Sequence, residues 1–281
     1  MNGGADFPSR ENDKRMKITT WNINSVRLRM PIVAQFLKEH APDAICLQET
    51  KCRNAEFPYS DFRALGYEHF AINGQKGYHG VAIVSKQPME LLETRDFCEK
   101  GDARHVSVGF AHGGTPLTIH NFYVPAGGDE PDREINPKFA HKLDFLDEMA
   151  EWIQRDRVTD GRVILVGDLN IAPLEQDVWS HKALLQVVSH TPIEVEKLGR
   201  VIDAGRWIDT MRRFVPKEEK LYTWWSYRAS DWEKSDRGRR LDHIWASEAL
   251  SETLEQMHVL REARNWTRPS DHVPVTISLA I

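Results

Sequence analysis

The stretch R-V-I-L-V-G-D-L-N, Arg162 to Asn170, joins an apolar run to a polar end. It opens with apolar residues typical of a buried strand and then ends in Gly-Asp-Leu-Asn. A carboxylate after an apolar strand is most often a turn or cap residue. The pattern recurs along the chain, however, because other strand-like runs also end in Asn, Glu, Asp or His. These endings are W-N-I-N at 21–24, L-Q-E-T at 47–50, R-L-D-H at 240–243 and P-S-D-H at 269–272.

Strand-like runs occupy both ends of the chain, and helical patterns lie between them. We predict strands over Met16–Trp21, Ala44–Gln48, Gly80–Ser85, His105–Phe110, Leu117–Tyr123, Arg162–Val166, Leu241–Ala246 and Val273–Leu279. Apolar residues at helical spacing predict one helix over Met30–Glu39 and a longer one within Pro137–Arg157. This order favours an α/β fold, in which two packed sheets are covered by helices. The strand of R-L-D-H is expected to be the next-to-last.

The composition is that of a folded protein, with 41% hydrophobic and 28% charged residues among 281. No run approaches the ~18 apolar residues of a membrane span, and the start lacks the apolar core of a secretory signal. We read residues 1–15 as a flexible polar leader and residues 16–281 as a single catalytic domain. Three cysteines at unrelated spacings indicate a reducing compartment without disulfides, and Cys46 is expected in the core.

If the polar strand ends meet at one rim, they form a site on a rigid scaffold. Carboxylate and amide oxygens without a cysteine cluster suit Mg²⁺ or Mn²⁺ better than structural zinc. Neither the phosphate-binding loop of nucleoside triphosphatases nor the serine elbow of α/β hydrolases occurs in the sequence. The chemistry that remains is metal-assisted hydrolysis of a phosphoester.

Six blocks then appear in a familiar order: W-N-I-N, L-Q-E-T, N-F-Y-V-P, G-D-L-N, R-L-D-H-I and P-S-D-H-V-P-V. Over roughly Met16 to Ile281 the chain resembles the exonuclease III and apurinic/apyrimidinic endonuclease family of the endonuclease/exonuclease/phosphatase superfamily. The resemblance implies a four-layered α/β sandwich of two mixed sheets with helices outside. It also implies a Mg²⁺-dependent site, in which Mn²⁺ can substitute, for DNA repair. The implied substrate is double-stranded DNA with abasic sites or damaged 3′ ends, and we expect a cytoplasmic, nucleoid-associated monomer without a membrane partner.

The resemblance also carries roles over by motif position. The implied metal-site residues are Asn22, Glu49, Asp271, Asp168 and Asn170. The implied catalytic residues are Tyr123, Asp168, Asn170, Asp242 and His272. Tyr123 is similar to a phenol that bonds the scissile phosphate, and Asp242 to a carboxylate that orients the phosphate-facing His272. Whether Asp168 or His272 takes the proton of the attacking water stays open, and we favour Asp168. Asn24 follows Asn22 closely but equally fits a turn residue.

The segment from Tyr222 to Asp242 mixes aromatic and basic residues. Between Arg228 and Arg240 five basic residues face three acidic ones, which gives +2 in a chain of net charge −5. Such a run is commonly a solvated face, but it also suits stacking on a flipped nucleotide and binding of phosphates. The DNA-binding residues implied by resemblance are Lys76, Tyr78, Arg104, Trp224, Arg239 and Leu241, with Arg27 as a weaker candidate.

Two positions depart from the family pattern. Arg239 stands where relatives carry a tryptophan or an aliphatic residue, and Ala126 where they often carry Asn or Gln. A more polar pocket wall puts the preference for abasic sites over 3′ ends in doubt. The alternatives are a general deoxyribonuclease, a small-molecule phosphoesterase of the same superfamily, or a DNA-binding scaffold without activity. The aromatic and basic segment argues for DNA repair, and the intact polar blocks argue for an enzyme.

Overall fold

The computed structural model describes residues 15–112, 115–229 and 231–281. The predicted leader therefore lies outside the described residues, except for Arg15, which begins the first strand. Within these ranges no helix combines the length and the apolar character that a membrane span needs.

The strands, in chain order, are β1 (Arg15–Asn22), β2 (Ala44–Gln48), β3 (His69–Asn73), β4 (Val81–Ser85), β5 (Glu90–Glu93), β6 (His105–His112), β7 (Thr115–Tyr123), β8 (Arg162–Asp168), β9 (Ile208–Asp209), β10 (Trp224–Trp225), β11 (Gly238–Arg239), β12 (Asp242–Ala246), β13 (Leu254–Val259) and β14 (Val275–Ala280). The α-helices are α1 (Val26–His40), α2 (Tyr59–Arg63), α3 (Pro137–Arg155), α4 (His181–Leu184), α5 (Pro192–Gly205), α6 (Thr210–Phe214) and α7 (Trp232–Ser235). Short 3₁₀ turns cover Asn54–Glu56, Phe97–Glu99, Glu175–Asp177, Glu248–Thr253 and Arg261–Asn265.

Two mixed sheets of six strands each form the centre of the molecule. The first has the order β13-β14-β1-β2-β4-β3 and the second the order β5-β6-β7-β8-β12-β9, while β10 and β11 form a separate hairpin. In each sheet the central pair, β1–β2 or β7–β8, is parallel, and the neighbouring pairs are antiparallel. Helices α1 and α3 make the crossovers that these parallel pairs require.

Apolar side chains explain why the sheets and helices form four layers. Between the sheets lies one buried cluster, which includes Ile18 and Cys46 of the first sheet and Ile164 of the second. Helix α1 packs its apolar stripe, for example Phe36, on the outer face of the first sheet. Helices α3 and α5 cover the outer face of the second sheet. Each fully buried Leu, Ile or Phe contributes about 1.5–3 kcal/mol. The predicted α/β sandwich and the core position of Cys46 are thus confirmed.

Strand β8, predicted over Arg162–Val166, continues two residues further, to Asp168. Gly167 makes this possible, because a Cβ at this position would lie 2.0 Å from the Phe122 carbonyl oxygen on the neighbouring strand. The predicted strand Ala44–Gln48 matches β2 to the residue, and the longer predicted helix matches α3 within two residues.

Besides the short elements of two to five residues (β9, β10, β11, α2, α4, α6 and α7), strands β3, β5 and β13 and helix α5 were not predicted. In chain order β13 comes between β12 and β14. The R-L-D-H strand is therefore third from last, and our expectation that it is the next-to-last was wrong. Strands β3, β5 and β13 lie at sheet edges, and β5 and β13 carry mixed sequences, E-L-L-E and L-E-Q-M-H-V, without clean alternation. Helix α5 did have a signal, since Thr191 and Glu194 form a capping box before its apolar stripe.

Candidate active site

The polar strand ends meet at one rim of the two sheets. Because β1 and β2 are parallel, Asn22 and Glu49 leave the first sheet side by side. The parallel pairing of β7 and β8 places Tyr123 opposite Asp168 in the second sheet. Asp242 begins β12 and lies opposite Asp168 on its other side. The topology therefore brings together residues that are far apart in sequence.

The amide of Asn22 joins the two sheets. Its Nδ2 donates hydrogen bonds to Glu49 Oε1 at 2.9 Å and to Asp168 Oδ2 at 2.8 Å. Tyr123 donates its hydroxyl to the same Glu49 oxygen at 2.9 Å. Burial, followed by the charges of Glu49 and Asp168, raises the pKa of Tyr123 well above its ordinary value, so the phenol remains a donor. Two carboxylates thus face each other across one amide group.

His272 lies between two aspartates. Its Nδ1 is 2.8 Å from Asp242 Oδ2, and its Nε2 is 3.6 Å from Asp168 Oδ2. Burial opposes the charged imidazolium, but the carboxylates of Asp242 and Asp168 outweigh it and raise the pKa of His272 to about 10. For Asp168 burial dominates over the nearby imidazolium and raises the pKa to about 7. Near neutral pH Asp168 can therefore exchange a proton, whereas His272 stays protonated.

The turn before β14 is tied to the first sheet. Trp21 donates its indole Nε1 to the backbone oxygen of His272 at 3.0 Å, and Ser270 donates its hydroxyl to the backbone oxygen of Asn22 at 2.7 Å. These bonds fix the imidazole against the strand that carries Asn22.

Several residues of the same loops have left-handed backbone conformations. The left-handed φ values are 48° at Asn24, 52° at Glu49 and Lys51, and 55° at Asn170. Non-glycine residues adopt this conformation rarely and at a cost of about 1–3 kcal/mol each. Side-chain bonds hold two of them, since Asn24 donates its N–H to Asn22 Oδ1 and Asn170 donates its N–H to Asp168 Oδ1. Such clustering is typical of sites whose geometry is maintained for function.

Asp271 and Lys51 complete the rim on the side of the first sheet. Asp271 accepts hydrogen bonds from Asn24 Nδ2 at 3.1 Å and Trp224 Nε1 at 3.0 Å. Burial would raise the pKa of Asp271, but the charge of His272 and these two donors lower it below the ordinary value. Lys51, which we did not predict, places Nζ 2.7 Å from Glu49 Oε2 and 2.7 Å from Asn24 Oδ1. The sequence did offer a clue to Lys51, because this residue directly follows the L-Q-E-T block.

The donor set fits a hard divalent cation. Glu49 and Asp168 offer carboxylate oxygens to the same small space, and the ammonium of Lys51 shows that a positive charge is stabilised beside Glu49. Ligand atoms of Asp168, Asp242 and His272 also lie within 4.8 Å of one another. There the raised pKa of His272 favours a protonated ring, which has no lone pair for a metal. The oxygen-rich side near Glu49 therefore fits better.

A cavity of about 620 Å³ opens beside this cluster. Trp224, Arg239 and Leu241 line it, as the sequence had placed them together, and the exposed Ala126 lies at its edge. Lys76 and Tyr78 lie in an exposed loop, where 77% of Tyr78 is accessible. Arg27 is likewise exposed, on α1.

Two arginines have surroundings that the sequence did not indicate. Arg104 is buried, donates to Asp102 Oδ2 at 2.9 Å and to the backbone oxygen of Tyr123 at 3.2 Å, and covers the Tyr123 ring. Arg104 therefore packs against Tyr123 and helps to hold it in place. Arg240, which we counted toward the basic segment, is fully buried and ion-paired with Asp177 and Asp209. It contributes no charge to a DNA-facing surface.

The two-sheet sandwich and its carboxylate, amide and imidazole rim define the class of phosphoesterases. The chain belongs to the Endonuclease/Exonuclease/phosphatase family, whose model matches residues 19–272. It is 30% identical to exodeoxyribonuclease III of Haemophilus influenzae, over 92% of this chain and 98% of that one. Among solved structures it is similar to an AP endonuclease from Archaeoglobus fulgidus, with TM-score 0.86, 31% identity and coverage of 95% and 100%. A 3′ phosphatase from Neisseria, bound to a product DNA hairpin, gives TM-score 0.83, 31% identity and coverage of 94% and 99%. The resemblance drawn from the motif blocks is confirmed.

Proposed function

We propose that this chain is a DNA repair phosphodiesterase that cuts on the 5′ side of abasic sites and removes nucleotides or blocking groups from 3′ ends. Membership of the family makes it a hydrolase of DNA phosphodiester bonds. The main observation behind the finer proposal is that reacting groups and a DNA-binding wall share one cavity. His272, whose Nε2 lies 3.6 Å from Asp168, lines the same cavity as a wall of tryptophan and arginine side chains.

We propose a task for each catalytic side chain, and the geometry supports these tasks. Asp168, with its pKa raised to about 7, takes the proton of the attacking water. The imidazolium of His272, held by Asp242, donates Nε2–H to an oxygen of the scissile phosphate and stabilises the charge that develops there. The amide of Asn170 is fixed by a 2.9 Å bond to the Val124 carbonyl and binds a second phosphate oxygen. Tyr123 contributes its phenolic proton from the side of Glu49.

We propose Mg²⁺, with Mn²⁺ as a substitute, as the metal of this metal-dependent family. Glu49 and Asp168 would hold it as carboxylates, and Asp271 would add negative charge through its bonds to Asn24 and Trp224. Asn22 presents its amide nitrogen to both carboxylates and so orients them. When bound, the cation supplies charge neutralisation for the phosphate and its leaving oxygen.

We further propose that the protein works as a monomer in the cytoplasm. One chain supplies every side chain of the cluster, which supports a monomer. Cys46, Cys52 and Cys98 are free thiols, which fits a reducing compartment. Light scattering coupled to size-exclusion chromatography tests the oligomeric state directly.

A comparison of three substrates tests the proposed activity. Purified protein with Mg²⁺ is incubated with a duplex carrying one abasic analogue, an undamaged duplex and an inositol phosphate. We expect rapid incision on the 5′ side of the abasic analogue, slow shortening of the undamaged duplex from its 3′ ends, and no release of phosphate from inositol phosphate. Uniform cutting of the undamaged duplex would favour a general deoxyribonuclease. Binding of DNA without cleavage would favour a scaffold.

A further inference from the structure

We propose that Arg239 is a specificity residue that binds an anionic group on the far side of the scissile phosphate. The proposal rests on the proposed function and deepens it, since it concerns what the cavity accepts beside the reacting phosphate. The preferred substrates would carry a carboxylate or phosphate there.

The strand pairing sets the distance from Arg239 to the reacting groups. Trp224 of β10 pairs with Arg239 of β11 on one side and bridges to His272 on the other. Two inter-strand steps separate the backbones of Arg239 and His272 by about 10 Å. Both residues line the same cavity. Arg239 therefore lies within reach of a group one short linkage beyond a phosphate at His272.

The guanidinium of Arg239 is held in place. Its NH1 donates to the Val188 carbonyl at 3.0 Å and to Ser189 Oγ at 2.7 Å, and its carbon lies 5.2 Å from the Trp224 ring centre. The N–H of Ser189 donates at 2.9 Å to both carboxylate oxygens of Glu194, which is buried. The arginine is thus oriented before substrate arrives, which reduces the entropy lost on binding.

The same network reaches the catalytic rim. Glu194 forms an ion pair with Lys142, and both side chains have no solvent exposure. Lys142 also donates Nζ to the backbone oxygen of Asn170 at 2.8 Å. One continuous set of buried bonds therefore connects the loop that holds Arg239 with the loop that carries the phosphate-binding amide.

Arg239 has no ion-pair partner in the described part of the chain, and Glu194 favours its charge only from a longer distance. Among the described ranges no carboxylate lies within 4.0 Å of Arg239, or of Arg228 and Arg237, which line the same cavity. The Nε of Arg239 is buried and has no acceptor. Arg240, the next residue, is paired with both Asp177 and Asp209. A fixed cation without an ion-pair partner, in a cavity beside a phosphate site, is arranged to meet an external anion.

Two anions could occupy this position. One is the carboxylate of a sugar remnant esterified to a 3′-terminal phosphate, and the other is the next phosphate of a strand that continues past an abasic site. In either case one water adds to phosphorus and the bond between phosphorus and the 3′ oxygen breaks. The strand keeps a 3′ hydroxyl, and the released phosphate monoester carries the anionic group away.

Steady-state kinetics on three matched DNA substrates tests the proposal. The first carries a 3′-phosphoglycolate end, the second a 3′-(2-hydroxyethyl) phosphate end that lacks only the carboxylate charge, and the third an internal abasic analogue. For Arg239→Gln we expect kcat/KM to fall about 10-fold to 100-fold on an anion-bearing substrate, mainly through KM. On the hydroxyethyl end the loss should stay within about 3-fold, since an uncharged group forms only weaker bonds with the guanidinium.

The pattern of losses identifies the anion. A loss confined to phosphoglycolate assigns the terminal carboxylate, and a loss on the internal analogue assigns the next phosphate. Arg239→Lys should keep part of the preference for anion-bearing substrates. Thermal unfolding of each variant reports whether the substitution has disturbed the fold. Arg157→Gln is the matched control, because that side chain is 81% exposed just before β8, at the end of the strand opposite Asp168. Equal losses on all three substrates overturn the inference, whereas a wild-type protein that cleaves none of them overturns the proposed function.

Discussion

Asp177 and Asp168 each lie at the centre of a buried cluster of charged side chains, and the two clusters differ in their bonding. Both carboxylate oxygens of Asp177 accept from guanidinium groups: Arg240 donates from Nε at 2.8 Å and NH2 at 3.0 Å, and Arg212 donates at 2.6 Å. Burial would raise the pKa of Asp177, but the two guanidinium groups lower it below its ordinary value. Around Asp168 burial prevails and raises the pKa to about 7, and Asp242 keeps a buried oxygen without a partner.

The difference separates stability from function. A buried charge with well-placed partners links elements of the fold, here the turn at 175–177, helix α6 and the start of β12. A buried carboxylate whose charge is not fully offset by neighbouring cations carries a cost within the folded protein. That cost is useful where a proton, a cation or a phosphate must later be bound. We expect mutations in the two clusters to affect different measurements.

The largest effect on folding is expected from Asp177→Asn. The change removes the charge and leaves Arg240 and Arg212 buried with too few partners, which costs about 3–5 kcal/mol in the free energy of unfolding. Urea unfolding measures the loss, and kcat per folded molecule should stay near wild type. Asp160→Asn is the control, because its side chain is 73% exposed and its loss should stay within about 0.5 kcal/mol. Equal stability of the two variants would show that the charge of Asp177 does not stabilise the fold.

His272→Asn should have its main effect on activity. The variant keeps a polar group of similar reach but loses the imidazolium that faces the phosphate, so kcat per folded molecule should fall more than about 100-fold. The free energy of unfolding should fall as well, because the variant leaves the buried carboxylate of Asp242 without its cation. Activity close to wild type would require another group to stabilise the phosphate.

Glu49→Ala separates the metal side of the rim from the acid–base side. Activity should fall at low Mg²⁺ and be partly restored at high Mg²⁺ or Mn²⁺, because the glutamate acts through metal affinity. The concentration of metal at half-maximal rate measures the effect, with His272→Asn as the variant that metal should not rescue. A loss that no metal concentration relieves would assign Glu49 a direct chemical role.

The smallest effect is a pH dependence of stability around Asp177. Because its pKa is lower in the folded state than the ordinary 3.8, its charge stabilises the fold above that value. The contribution is lost as the pH falls below about 3.8 through the lower folded pKa. The stability difference between wild type and Asp177→Asn should therefore be constant near neutral pH and shrink in acid. A difference that grows as the pH falls would reverse the sign of this linkage.

Much of the site could be predicted because its residues sit in local motifs. Asn22, Glu49, Asp168 and His272 each end or precede a strand in a short polar block, and the parallel strand pairs then bring the blocks together. The inner strands and the long helices also had clear apolar patterns.

Features that depend on distant partners could not be predicted. Arg239 and Arg240 look alike in sequence, yet one faces a cavity and the other pairs with Asp177 from a different segment. The link from Lys142 through Glu194 joins two helices whose polar residues resemble ordinary surface charges. The edge strands had too few buried residues to show a period.

The Asp168 cluster gives up stability in favour of catalysis, and Asp168→Asn measures both effects in one variant. The variant removes a charge that burial disfavours but keeps the shape of the side chain. We predict that kcat on the abasic duplex falls more than about 100-fold, while the free energy of unfolding at pH 8 stays equal to wild type or rises. Activity within about 10-fold of wild type, or a loss matched by unfolding of the protein, would show that Asp168 does not have this role.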